Sequence, residues 1–520
     1  MSVAVSIPGA VLVTSCFKIA FRFALVVIAF LQGLGIETNE HVSAEQDQPT
    51  VRFLTGDESP LGTDATVLPD DATALTDETR IDSEFESIRE RLAKLEQQAL
   101  GNVTKEGASQ AGTADTKQVQ TTGIKQDSPS KPDPKATNSD AKWSTKLGGH
   151  VQLDYITWAD ADAAIPDTEN YFSYRRLRLV ADGTGYDQFD FRLQLTLEPG
   201  QGPASSIHAS AEVKDAYLSM NEVPLLGRIR FGNFFVPFSL EQVTNDTNNI
   251  FNERSIPSEN IFAASREVGF AVYNATEAKN FTWSGGMFFD NINDTVKTRL
   301  DDNQGFRLSG RLTWLPYYYE PSNGRHLVHT GIGILHTDDH DNLVRFQARP
   351  QIQRGPVLID SGPLAADAYT TGNLEFACVW GQVAVQAEAF RSSVNLNDSG
   401  SGDASGAYAH ISYFLTGENR IFERFGQHGA QFGRNRPNTN FAIGQGRTGP
   451  GAWEVKARWS NLRLSDLDGG EYNDLTVGFN WYWSDRTRWM FDWIQPVTSE
   501  ETTFGATYSD LLAMRFDFNW

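Results

Sequence analysis

The chain has 520 residues, 40% hydrophobic and 21% charged, with a formal charge of −22 and a mean hydropathy of −0.39. Apolar stretches of ~20 residues recur nowhere after the N-terminus, which excludes a polytopic helical membrane protein; a membrane β-barrel, whose strands alternate apolar with polar residues, stays open. The acidic balance argues against a general nucleic-acid binder, and two cysteines, Cys16 and Cys378, build neither a disulfide framework nor a Cys-rich metal site.

Lys18 and Arg22 precede an uncharged apolar run from Phe23 to Ile36, and Val42-Ser43-Ala44 then offers small residues at a cleavage site. The pattern predicts a secretory signal over 1–44. A single membrane-anchoring helix is the competing reading, but the run is shorter than a span needs. Residues 45–79 are polar and acidic, with Pro49, Pro60 and Pro69, and predict a disordered segment. Ile81, Phe85, Ile88, Leu92, Leu95 and Ala99 then recur at spacings of 4, 3, 4, 3 and 4. This heptad seam predicts a short coiled-coil-like helix over 80–100, either oligomerising or lying on another surface. Residues 101–141 read as a linker. Residues 37–140 hold 10 basic and 21 acidic residues, a net −11, so half of the acidity lies before the rest of the chain.

From residue 142 the periodicity changes to two. Phe189, Phe191, Leu193, Leu195 and Leu197 alternate with Gln188, Asp190, Arg192, Gln194, Thr196 and Glu198. Trp453, Val455, Ala457 and Trp459 alternate with Glu454, Lys456 and Arg458, and Leu475–Trp483 repeats the pattern. A soluble sandwich also alternates. Here Trp and Tyr sit near the ends of the apolar faces, the other face is charged and Gly-rich, and the chain carries a secretory signal. The last residues put Leu512, Met514, Phe516, Phe518 and Trp520 on one face. Outer-membrane barrels resemble this, ending on an amphipathic strand whose terminal aromatic the assembly machinery reads.

The expected fold is an all-β transmembrane antiparallel barrel over 142–520. Seventeen runs qualify as strands, starting near 146, 171, 187, 212, 227, 266, 281, 305, 326, 343, 373, 382, 405, 452, 474, 487 and 511. Single-chain bacterial barrels have even strand numbers. The weakest run, Leu343–Arg349, lies in a polar region broken by Pro350, Pro356 and Pro363; as a loop it leaves sixteen. Connections then alternate short and long, with Arg391–Ala404 and His336–Gly372 among the long ones. Thr416–Gly451 is long but falls on the short side, which implies a large periplasmic or in-folded segment, or a miscount.

Several segments, in order, resemble the phosphate-selective porin O and P family over roughly 143–520. They are Tyr174-Arg175-Arg176-Leu177-Arg178-Leu179, Val213-Lys214-Asp215-Ala216-Tyr217-Leu218, and Gly232–Glu241. Then come Asn252-Glu253-Arg254-Ser255, Phe414–Arg420, Gly451–Val455 and Gly478–Tyr482. The resemblance implies a sixteen-stranded homotrimeric porin in the outer membrane of a Gram-negative-type bacterium, surrounded by outer-membrane lipid, with the N-terminal segment periplasmic. It also implies inward-folded loops and a basic path for small anions. The third long loop, Pro237–Ser265, matches the family's in-folded loop, so Asn252, Glu253, Arg254, Ser255 and Arg266 are constriction candidates; bracing the loop against the wall is their other reading. The family usually carries a basic residue where this chain has Phe235, which weakens the expectation of phosphate selection.

Alternation sorts strand charges by face. Opposite the apolar face lie Arg176, Arg178, Arg192, Arg228, Arg230, Arg307, Arg311, Lys456, Arg458, Arg488 and Arg515, the candidate pore lining. The same face carries Asp154, Asp190, Glu198, Asp215, Glu267, Glu388, Glu454, Asp492 and Asp517. Eleven against nine makes a lumen close to neutral. Arginine forks suit phosphate oxygens, and each arginine can instead pair with a lumen carboxylate. The expected function is passive diffusion of small solutes with a weak anion preference, with no cofactor. The alternatives are a non-selective porin tethered to the cell wall by its N-terminal coil, and a barrel-borne enzyme with a Ser–His pair on its rim. His326, His329, His336 and His340 lack fixed metal-ligand spacing.

Overall fold

The computed structural model describes residues 142–197, 211–259, 261–290, 292, 305–338, 343–397, 400–444 and 448–520. The signal segment, polar stretch, short helix and linker expected over 1–141 lie outside them.

Sixteen strands close into one antiparallel barrel. They are β1 (Trp143–Ala161), β2 (Tyr171–Gly185), β3 (Phe189–Thr196), β4 (Glu212–Val223), β5 (Gly227–Phe235), β6 (Arg266–Ala275), β7 (Phe281–Phe288) and β8 (Phe306–Tyr318). There follow β9 (His326–Asp338), β10 (Leu364–Trp380), β11 (Val383–Leu396), β12 (Gly400–Phe414), β13 (Ala452–Arg463), β14 (Glu471–Tyr482), β15 (Thr487–Thr498) and β16 (Ser509–Asn519). Each pairs with its sequence neighbours, and β16 returns to β1 with Phe518 opposite Val151, so the wall has no open edge.

The exposure pattern is inverted relative to a water-soluble protein. On β13, Val455 and Trp459 point outward at 40% and 46% exposure, whereas Glu454, Lys456 and Arg458 point inward at 0%, 3% and 1%. Lipid solvates such an outer face. At the short-turn end, β13–β16 carry a band of rings outside. Trp453 and Trp481 stack with centroids 4.9 Å apart, Phe479 and Phe491 at 4.5 Å, and Trp489 meets Phe516 at 4.9 Å. This is an interfacial girdle. Short turns in such barrels face the periplasm.

Two connections differ from expectation. Leu343–Arg349 is not wholly loop. Leu343–Val344 pairs with Ala365 and Leu364 at the outer end of β10, whereas Gln347–Ala348 pairs with Ile359–Asp360 apart from the wall. β10 begins at Leu364, not near 373. Arg391–Ala404 is not a long loop, since β11 runs to Leu396 and β12 starts at Gly400. These strand ends stand above the lipid, where neither face has to be apolar, so alternation does not mark them. Part of Thr416–Gly451 folds into the barrel from the short-turn end, one of the readings its length allowed. Within it, Phe422–Gly426 and Gly429–Phe432 pair as an inner hairpin.

The third loop enters from the opposite end. Ser239 Oγ accepts from Gln242 N and starts the short helix α1 (Leu240–Val243). The unpaired N–H groups of Leu240 and Glu241 donate to the Glu388 carboxylate on β11 at 3.0 and 2.7 Å. Wall glycines seat the loop: a Cβ at Gly333 would lie 2.9 Å from the Phe238 ring, and one at Gly406 would lie 2.7 Å from Pro257. Phe238, Phe262, Phe346, Leu358 and Phe390 form part of an apolar core inside the barrel. Open space remains against β1–β6.

Candidate functional site

Two chambers occupy that space. The outer one, about 740 Å³, is lined by Arg175, Arg176 and Arg178 of β2, Lys214 of β4, Arg254 of the third loop and Arg266 of β6. Arg345, Arg349 and the Gln347–Gln353 stretch complete it. Its carboxylates are Glu212, Asp246, Glu253 and Glu259, so eight basic groups face four acidic ones, a net +4. The inner chamber, about 530 Å³, lies at the short-turn end and is lined by Lys146, Asp182, Asp190, Arg192, Tyr217, Arg228, Arg230 and Gln427, among others. Its balance is four basic groups against two acidic ones, a net +2.

Two of the outer cations arrive through β-bulges. Gln152 faces Arg176 and Leu153 faces Tyr174, leaving Arg175 as an extra residue, so Arg175 and Arg176 both point inward. Likewise Gln194 faces Asp215 and Leu195 faces Val213, which turns Lys214 inward beside Asp215. Strict parity puts Arg175 and Lys214 in lipid, and face sorting therefore missed both. The signal was present as two consecutive charged residues in a strand that otherwise alternates. A charge on the lipid face is costly, so one residue of each pair requires a bulge.

All eleven predicted pore-lining cations face the lumen, but they differ in what they meet. Arg176 and Arg178 share Asp246 at 2.9 and 2.6 Å, and Arg192 holds Asp182 at 2.7 Å. Arg311 holds Glu375 at 2.7 Å, Lys456 Asp492 at 2.6 Å, Arg488 Asp517 at 2.8 Å and Arg515 Asp154 at 2.6 Å. Arg307 pairs with Glu267, and Arg458 with Glu241 at 3.6 Å. Arg228 and Arg230 instead donate to backbone carbonyls of the inner hairpin. Arg307, Arg311, Lys456, Arg458, Arg488 and Arg515 line neither chamber; several brace in-folded segments, as Arg311 does through Ala430 O at 3.0 Å.

The constriction candidates are mostly braces. Asn252 N donates to Asp492 at 2.8 Å. Glu253 is held by Arg175 and Arg515, each at 2.6 Å. Arg254 donates to the carbonyls of Glu241 and Thr244 around α1, and also lines the outer chamber. Ser255 Oγ donates to Glu241 at 2.6 Å. Arg266 pairs with Asp215 at 2.8 Å and lies 3.9 Å over the Phe235 ring. Phe235 thus serves as a buried platform that positions a cation.

Electrostatics reinforce the docking. Burial pushes the Asp246 carboxyl up, but Arg176 and Arg178 override it and hold it well below the usual carboxylate range. Arg175 and Arg515 override burial at Glu253 in the same direction. Burial, then Arg230 and its neighbouring arginines, hold the hairpin's His428 well below the usual imidazole value.

Gln351 adds a second inward contact from the outer end. Its amide donates to Ser460 Oγ at 3.0 Å and to Asp474 at 2.7 Å, and its oxygen accepts from Arg458 and Thr476. Sequence reasoning did not single it out, because a loop glutamine carries no periodic signal.

Known proteins align with this architecture. Residues 145–520 match the family described as phosphate-selective porin O and P. Porin O of Pseudomonas aeruginosa is 24% identical over 398 residues, covering 70% of this chain and 85% of that protein. An uncharacterised protein of Caulobacter vibrioides is 26% identical over 374 residues, covering 69% of each. Among solved structures, the anion-selective porin of Comamonas acidovorans superimposes with a TM-score of 0.45 at 13% identity, covering 73% of this chain and all of that one. The chain belongs to the phosphate-selective porin O and P family and is an outer-membrane porin.

Proposed function

We propose that this porin conducts small anions, phosphate among them, by passive diffusion. The observation that carries the reading is the outer chamber's net charge of +4 in a chain of net charge −22. Lining charge sets which ions enter a pore. Bulges and loops bring Arg175, Lys214, Arg254, Arg345 and Arg349 to this lining, while nine of the eleven strand cations are paired with carboxylates. That pairing favours a modest preference over strict selection. Passage needs no catalytic group, so the chain works as a channel and not as an enzyme.

The test is KCl conductance in a planar bilayer, titrated with phosphate. Phosphate that lingers at the outer arginines reduces the chloride current in a saturable way. A current indifferent to phosphate removes it from the solutes the pore retains. The absence of any conductance removes the porin reading itself.

Three further features belong to the same proposal. The chain trimerises, which cross-linking of the membrane-extracted protein checks. Trp520 ends β16's outward face and is read by the barrel-assembly machinery, which the Trp520→Ala variant checks through its surface yield. Residues 45–141 are a periplasmic tether, and their deletion leaves conductance unchanged.

A further inference from the structure

We infer that Gln427, at the tip of the inner hairpin, is a specificity-determining residue of the passage between the two chambers. The inference rests on the porin reading above. The hairpin enters from the short-turn end, and its turn spans Gly426–Gly429. Gln427 lines the inner chamber, whose other lining residues all come from β1–β5. Its side chain reaches the wall: Oε1 accepts from Arg192 Nη1 of β3 at 3.1 Å, and Nε2 donates to the Tyr217 hydroxyl of β4.

The neighbouring groups connect the chambers. Arg266, which lines the outer chamber, stacks 3.9 Å over Phe235. His428 meets Phe235 edge-on, with centroids 5.3 Å apart. His428 Nδ1 lies 3.3 Å from Nη1 of Arg230, which lines the inner chamber. Arg266, Phe235, His428 and Arg230 therefore form a continuous line of contacts from one chamber to the other. An anion moving from Arg266 to the arginines beyond it passes the Gln427 carboxamide.

The lip is held by neutral groups. Arg228 Nη1 donates to the carbonyls of Gly426 and Gln427 at 2.9 and 3.0 Å, and Arg230 Nη2 donates to the Gln427 carbonyl at 3.0 Å. Among the described residues neither arginine has a carboxylate partner in an ion pair. A carbonyl and a carboxamide fill space without cancelling charge, so the narrow part stays cationic. A carboxylate at the same position would add a negative charge beside Arg192, which already holds Asp182, and would lower the charge of the narrow part.

Single-channel recordings of the full chain in planar bilayers, in KCl, test the inference with Gln427→Ala and Gln427→Glu. Parent conductance tests the porin reading separately. Gln427→Ala shortens the lip and raises conductance about two-fold. Gln427→Glu keeps the shape and lowers the chloride-to-potassium permeability ratio several-fold. The control Glu423→Gln, lower on the hairpin, leaves both quantities at parent values. A Gln427→Ala conductance equal to the parent's, or a Gln427→Glu permeability ratio equal to the parent's, overturns the inference.

Discussion

The third loop and the inner hairpin enter one lumen from opposite ends; both pack apolar side chains against the wall, but their polar fastenings differ. The third loop is fastened by charge. Glu253 bridges Arg175 and Arg515, Asp246 takes Arg176 and Arg178, and Glu388 caps α1. The hairpin is fastened by apolar packing of Phe422 and Phe432 and by arginines resting on its carbonyls. The first kind of fastening consumes cations that would otherwise attract solutes. The second leaves them uncancelled. Anion attraction in this pore therefore survives where neutral backbone supplies the contact, as at Arg228 and Arg230.

The largest test removes one side of the comparison. Replacing residues 421–433 with Gly-Gly opens the inner half of the lumen, and single-channel conductance should rise roughly three-fold or more. Equal conductance would mean that the hairpin lies outside the ion path.

Breaking the charged fastening comes next. Glu253→Gln leaves Arg175 and Arg515 with a neutral partner in a buried site and should cost about 3–5 kcal/mol. A fall in the denaturant midpoint of the folded barrel, read by its gel mobility, checks this. An unchanged midpoint would show that the third loop does not depend on its ion pairs.

Acid should separate the two segments. His428 has a lowered folded pKa and is faced by Arg230, Arg192, Arg266 and Arg228. The unfolded imidazole binds a proton below pH ~6.5 while the docked one does not, so hairpin docking is complete above that value and weakens below it. Docking should be weaker at pH 5 than at pH 7. Asp246 and Glu253 behave in the other sense. Their lowered pKa values give stability that is present above pH ~4 and lost only as pH falls through the folded values. Hydrogen exchange between pH 7 and pH 5, corrected for intrinsic rates, should show faster exchange in the hairpin and no change around Asp246 and Glu253. His428→Gln should abolish the difference.

Phe235→Leu should have a smaller effect. Loss of the ring under Arg266 costs about 0.5–2 kcal/mol and blurs that cation's position. The chloride-to-potassium permeability ratio should fall without loss of the barrel. The smallest effect is expected from Arg345→Ala, which removes an exposed pair with Asp360 and should leave the unfolding midpoint unchanged.

The barrel was legible because lipid imposes period two on every span. Phe189–Leu197 and Trp453–Trp459 reveal their faces, and demoting Leu343–Arg349 leads to sixteen wall strands. Strand ends above the lipid were less legible, as at β10 and β12, since no solvent contrast marks them. The site was half legible. Parity sends Arg176 and Arg192 inward, but it cannot see a bulge, so Arg175 and Lys214 escaped it. Phe235 was visible as a missing cation; its role as the platform for Arg266 depends on a strand thirty-one residues later in the chain. The hairpin was announced by its length at the wrong end, while Gln427's partners, Arg192 and Tyr217, lie more than two hundred residues away.

The central claim is that a net-acidic chain builds a net-cationic pore. The reversal potential of the purified protein across a KCl gradient tests it most directly. The account predicts a potential displaced toward that of chloride, and a potential displaced toward that of potassium would contradict it.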